Sequence, residues 1–163
     1  MKKVFSLITM IALSLALYAQ GAKIANVNVK DINGKTVSTS SFNNDGKPYL
    51  LCFWATWCHP CLEELSAMAE VYDEWQKETG IKIYAISLDD TRTKGKVKPL
   101  VNSMEWEYEI FIDENADFKR AMGVNNPPHT FIIGGDGTIL WQHTGYAEGD
   151  EENTIKKYIE LSK

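Results

Sequence analysis

The chain has 163 residues, 44% hydrophobic and 24% charged, which fits one globular domain with a short extension and excludes a multidomain, disordered or fibrous protein. Five Trp, seven Tyr and six Phe suffice for a packed core without disulfide staples. The formal charge of −5, with no Lys/Arg run, gives no electrostatic footprint for a nucleic-acid backbone or an anionic membrane surface.

Residues 1–19 open with Lys2-Lys3, continue through an apolar stretch from Val4 to Leu17 and reach Tyr18-Ala19-Gln20. A basic start, a short apolar centre and a small residue before a cut are the layout of a secretory signal. The apolar stretch, about 14 residues, is shorter than the roughly 18–20 needed to cross a bilayer, so cleavage is expected and no stable membrane span after it. The cut is expected after Ala19, leaving 20–163 as the folded domain, although Leu17 at −3 is larger than such sites favour. A retained anchor is the alternative, and no cysteine near Gln20 is available for a lipid.

Alternation of Ile24, Val27 and Val29 with polar residues, followed by an Asn33-Gly34 turn, predicts a β-hairpin over 23–37. Tyr49 to Trp54 is a continuous apolar run of strand length, which predicts a strand covered on both faces. After Pro60 the spacing of Leu62, Leu65, Met68, Ala69, Tyr72 and Trp75 becomes helical, so a helix is expected from Cys58 to Thr79, with Gly80 as C-cap. There follow a strand over 81–88, a polar loop at 89–93, a helix carrying Val97, Leu100, Val101 and Met104, and a strand over 108–112. A short helix over 116–122, a strand over 129–133, a Gly135-Asp136-Gly137 turn, a strand over 138–143 and a helix over 151–161 complete the pattern. Alternating strands and helices predict one α/β domain with a central mixed β-sheet flanked by helices, closed by an antiparallel hairpin and preceded by an N-terminal β-hairpin extension.

Trp57-Cys58-His59-Pro60-Cys61 stands where the buried strand ends and the helix begins. Cysteines at i and i+3 on a first helical turn can close a disulfide with little backbone change and so cycle between dithiol and disulfide. Cys58 meets the unpaired N–H groups and positive dipole end of the helix, which favour the thiolate and mark it as the attacking sulfur. Cys61, one turn deeper, would resolve the mixed disulfide. Pro60 fixes the turn at a position where its missing N–H costs nothing. His59 has two readings: an imidazolium that favours the Cys58 thiolate and shifts the couple toward oxidant, or an exposed residue that merely fits the turn. A structural disulfide or half a zinc site are the bland alternatives for the pair. Zinc would want a second Cys/His pair of similar spacing, whereas only Cys52, His129 and His143 remain.

The segment Phe53-Trp54-Ala55-Thr56-Trp57-Cys58-His59-Pro60-Cys61 resembles the active-site segment of the thioredoxin superfamily, and Leu62-Glu63-Glu64-Leu65 resembles its exported TlpA/ResA-like branch. Gly123-Val124 through Pro128-His129-Thr130-Phe131-Ile132-Ile133 is similar to the family's strand opened by a cis-proline, and Gly135-Asp136-Gly137-Thr138-Ile139 to the hairpin after it. The resemblance covers about Ile24 to Leu161 and implies a thioredoxin-like fold. It further implies that Pro128 is cis and lies against the cysteines, that the Pro127 backbone is free to pair with an extended substrate beside Trp57, and that Glu64 tunes or relays protons for Cys61. The alternative for Pro127-Pro128 is a rigid loop with both bonds trans. Glu63 and Glu64 have another reading as first-turn acids that complement the helix dipole. Two positions depart from the family: Cys52 stands where a buried Asp or Asn is usual, and His129 where Thr is frequent after the proline. Cys52 is expected to be an inert buried thiol.

Two functions follow. The first is an exported, extracytoplasmic thiol-disulfide oxidoreductase that needs no dissociable cofactor. It exchanges the Cys58–Cys61 couple with cysteines of exported proteins, apocytochromes among them, and with an upstream redox partner. The resemblance favours a reductant while His59 pulls the other way. The second is a copper or zinc binding module that uses Cys58, Cys61 and His129 as a soft site. A peroxidase is weaker, because it needs Arg and Thr beside one reactive cysteine; Thr56 is near, but Arg92 and Arg120 are the only arginines and belong to no recognisable motif.

Overall fold

A computed structural model describes residues 21–163; the expected signal segment and its cut after Ala19 lie outside the described residues. Seven strands form one sheet: β1 Asn28–Asp31, β2 Thr36–Ser38, β3 Tyr49–Trp54, β4 Ile83–Ser87, β5 Glu109–Ile112, β6 His129–Ile133 and β7 Ile139–Thr144. Their spatial order is β2-β1-β5-β4-β3-β6-β7. The β3–β4 and β4–β5 pairs are parallel, and β6 runs antiparallel beside β3. Four α-helices surround the sheet among the described residues: α1 His59–Thr79, α2 Val97–Ser103, α3 Asp117–Ala121 and α4 Asp150–Leu161.

The apolar run at 49–54 forms a strand because every one of its side chains is buried, as expected for a central strand covered on both faces. Successive side chains point to opposite faces. Leu50, Cys52 and Trp54 enter a core built with Leu65, Met68, Tyr72 and Trp75 of α1, Val97 and Val101 of α2, and Ile155 and Tyr158 of α4. Tyr49, Leu51 and Phe53 enter the opposite core with Phe42, Phe118, Phe131 and Ile133. Helix α1 starts at the end of β3, with Cys58 as its N-cap and Pro60 in its first turn, and ends at Gly80 in the left-handed conformation (φ 70°) that a glycine adopts without a Cβ penalty.

The N-terminal hairpin is shorter and later than its alternation suggests. Residues 22–24 hydrogen-bond to the hairpin between β6 and β7 instead, through Ile24 N to Gly137 O and Ile139 N to Ala22 O, with a bridge between Lys23 and Thr138. The chain then reaches β1 across the second core, where Ile24, Ala25 and Val27 pack. An apolar/polar alternation describes any extended segment with one face buried, and this one crosses the sheet before it pairs.

The turn between β6 and β7 lies so close to the turn before β3 that a Cβ at Gly135 would sit 1.9 Å from the carbonyl oxygen of Gly46. Backbone, not a flexible side chain, blocks that space. Gly135→Ala should therefore lower the free energy of unfolding by about 1–3 kcal/mol. Gly95→Ala, with open space around it, should be near neutral, and chemical denaturation of the two variants checks the contrast.

Candidate redox site

The site is assembled where three segments meet. Cys58 N donates to Ala55 O, and the Cys58 carbonyl accepts from Cys61 N and Leu62 N, so the first turn of α1 wraps around the cysteine pair. Cys58 and Cys61 form a disulfide with Cα atoms 5.3 Å apart. Cys61 is fully buried and Cys58 retains only 6% exposure, whereas Trp57 beside it is 62% exposed. The outer sulfur is thus framed by a solvent-facing indole and the inner one is enclosed, a polarity suited to an attacking and a resolving cysteine.

Asp89 positions the approach to that turn. It is completely buried at the end of β4, and its carboxylate accepts from Thr56 N at 2.8 Å, Thr56 Oγ1 at 2.6 Å and Ser87 Oγ at 2.8 Å. The hydrogen bonds hold Thr56 two residues before Cys58 and occupy the Thr56 hydroxyl. Arg92 pairs with Asp90 and Arg120 with Asp117, so neither stands with a cysteine as a peroxidase would require. Sequence reasoning passed over Asp89, whose signal was a carboxylate immediately after a buried strand.

The second segment is the loop that leads into β6. The Pro127–Pro128 peptide bond is cis, Pro128 is buried and Pro127 half-buried. Pro128 O accepts from Gly145 N, which ties this loop to the one after β7. Beyond it the side chains of β6 alternate. Thr130 faces α1 and donates its hydroxyl to Glu64 Oε1 at 2.8 Å. His129 faces the other way: its ring stacks on Phe131 at 4.5 Å between centroids, Nε2 lies 3.0 Å from Gln142 Oε1, and Nδ1 lies 3.2 Å from Thr144 Oγ1. Burial holds this imidazole below its ordinary pKa, helped by His143 and opposed by Gln142.

The His129 ring is thus held against β7. Both of its nitrogens are engaged on β7, and the residue that faces inward is Thr130. Among the described residues no three His, Cys, Asp or Glu side chains are grouped to hold a metal ion. The metal-module reading is left without support.

The third segment is α1 itself. Glu64, one turn beyond Cys61, is 3% exposed, and burial raises its pKa to about 7, with the Thr130 hydrogen bond lowering and Asp150 raising it. That burial sets Glu64 apart from a solvated first-turn acid complementing the helix dipole. Glu63, its neighbour, is exposed and meets His59 Nε2 at 3.3 Å. Cys52, below the site, is a buried free thiol whose pKa is pushed far up, first by burial and then by Glu64, so it stays protonated.

A redox-capable cysteine pair at a helix start, a buried carboxyl one turn on and a cis-proline loop on a mixed sheet define a thioredoxin-fold dithiol/disulfide protein. A profile of the AhpC/TSA family matches residues 20–142. The thiol-disulfide oxidoreductase ResA of Bacillus thuringiensis subsp. konkukian is 32% identical over 138 residues, which are 84% of this chain and 77% of that protein. ResA of Bacillus subtilis is 29% identical over 145 residues, 89% of this chain and 76% of that protein. Among solved structures, a thioredoxin-like protein from Porphyromonas gingivalis is 49% identical with a TM-score of 0.76, covering 88% of this chain and 94% of that one. StoA from Bacillus subtilis, at 21% identity and a TM-score of 0.65, covers 82% of this chain and 96% of its own and shares the fold. The chain belongs to the AhpC/TSA thioredoxin-like family, and its enzymatic class is protein thiol-disulfide oxidoreductase.

The buried carboxyl makes stability depend on pH. Its folded-state pKa, about 7, lies above the ordinary 4.5, so the native state holds the proton more tightly than the unfolded chain does. That contribution is full below the unfolded value and is lost as pH rises through the folded one. Relative to Glu64→Gln, the wild type should lose on the order of 3 kcal/mol of unfolding free energy between about pH 4 and about pH 8. Denaturant titration across that range checks it, and parallel profiles would mean that the carboxyl is not held protonated.

Proposed function

We propose that this chain is an exported reductant of protein disulfides, with Cys58 as nucleophile, Cys61 as resolving cysteine and Glu64 as the proton relay between them. The observation that carries the reading is the closed Cys58–Cys61 pair across the first turn of α1, with a buried carboxyl of pKa about 7 one turn further. In the reduced protein the Cys58 thiolate attacks one sulfur of a partner disulfide and forms a mixed disulfide, releasing the partner's other sulfur as a thiolate that takes a proton from water. Ionised Glu64 takes the proton of Cys61, whose thiolate attacks the Cys58 sulfur and expels the partner's sulfur as a thiolate, which receives the proton that Glu64 gives up. The partner leaves with both cysteines reduced, and the disulfide of the present structure is the product. An upstream redox partner then returns two electrons and two protons.

The surroundings fit this cycle. In this reading exposed Trp57, next to Cys58 in the chain, and the backbone of Pro127 are the surface for an extended partner segment, and buried Pro128 lies against the cysteine pair. Pro60 presets the turn that holds the two sulfurs together. His59 faces Glu63 in solvent, so any pull toward the oxidising side is countered locally and screened. Partners are then exported proteins with paired cysteines, the class to which apocytochromes belong. An extracytoplasmic location rests on the signal-like 1–19. No helix of the described residues is long and apolar enough to cross a membrane.

Equilibration with thiol/disulfide buffers, followed by the fluorescence of Trp54 and Trp57, tests the function and its direction. A reductant should show a two-electron transition with a midpoint more negative than about −200 mV, and Cys58→Ser should abolish it. Mixed with a disulfide-containing peptide, Cys61→Ser should accumulate the mixed disulfide through Cys58. A midpoint near about −120 mV would make the protein an oxidant, and no transition would sink the redox reading.

A further inference from the structure

We propose that Thr130 is a positioning residue that sets the proton affinity of Glu64 and with it the pH range in which the relay works. The inference deepens the function above and rests on Glu64 as relay. Among the described residues, the Thr130 hydroxyl is the one side-chain group that donates to the Glu64 carboxyl, at 2.8 Å and out of solvent. A donor to a buried carboxylate stabilises the ionised form, because no water replaces it.

A hydroxyl carries a single hydrogen, so its effect depends on what else competes for it. The competitor to consider is Cys52, the cross-strand partner of Thr130 in the β3–β6 register. A thiolate at Cys52 would draw the Thr130 hydrogen away from Glu64. Burial keeps Cys52 a neutral thiol, a weak acceptor that leaves that hydrogen to the carboxyl. The hydrogen of Thr130 stays with Glu64, in the bond of 2.8 Å. A carboxylate in place of Cys52 would compete for the same hydrogen and add a like charge beside Glu64.

None of the other titratable groups around Glu64 stabilises its ionised form. Asp150 of α4 raises its proton affinity. Tyr108, before β5, donates to Leu65 O, and Tyr146, after β7, donates to Glu151, so neither hydroxyl is offered to Glu64. On α1 itself the neighbour is Cys61, neutral in the disulfide. Thr130 is thus the group that holds Glu64 near neutrality rather than well above it.

The test is a carbon-13 titration of the glutamate carboxyls in the oxidised protein, with Glu64→Gln to assign the signal. Thr130→Val removes the hydroxyl at nearly constant volume and should move the Glu64 midpoint up by about one pH unit or more, while Thr130→Ser should return it close to the wild-type value. Thr130→Ala gives the same reading should the valine variant not fold. A midpoint in Thr130→Val or Thr130→Ala equal to that of the wild type would overturn the proposal. This readout does not depend on the redox role: if Glu64 were no relay, thiol-disulfide exchange would have the same pH profile in Glu64→Gln as in the wild type, while the Thr130 variants would still shift the carboxyl signal.

Discussion

The pairing of β3 with β6 is the constraint on which the site depends. β3 delivers the chain to Cys58, and β6 begins directly after the proline loop, so their antiparallel register, Cys52 opposite Thr130 and Phe53 opposite His129, determines what lies beneath the cysteines. A register slip of one residue would turn Thr130 outward and His129 inward, because side chains alternate with a period of two. Burial of β3 and β6 on both faces and the close backbone contact at Gly135 oppose such a slip.

On that frame the electrostatics are a balance between burial and one hydrogen bond. A carboxyl removed from water favours its neutral form, and the hydroxyl donor from β6 lowers its pKa back toward neutral pH, where a proton can be taken or returned. Asp89 contributes differently. Its three accepted hydrogen bonds hold the backbone before Cys58 and leave it a structural anchor of the turn.

Much of this was legible in the sequence because it is local. The continuous apolar run at 49–54, the change to helical spacing after Pro60 and the cysteine spacing each place an element without knowledge of its neighbours, and the resemblance to a known family added the fold. What could not be read depends on long-range pairing. Nothing within 129–133 says which of His129 and Thr130 faces α1, since both lie in a strand buried on both faces and lack a polar/apolar alternation. The crossing of residues 22–27 reads as a strand because alternation marks a buried face and not a partner, and the partnership of Asp89 with Thr56, thirty-three positions apart, has no local signature.

The central claim is that a carboxyl inside the fold shares the proton traffic of the Cys58–Cys61 couple. Its most direct test is the midpoint potential of the couple measured from about pH 5 to about pH 9 in the wild type and in Glu64→Gln. Each proton taken up with the two electrons adds about 30 mV per pH unit to the slope. A slope that bends near neutrality in the wild type, with the bend gone in Glu64→Gln, is the predicted result. Superimposable profiles would contradict the account, because the carboxyl would then be a buried bystander to the exchange.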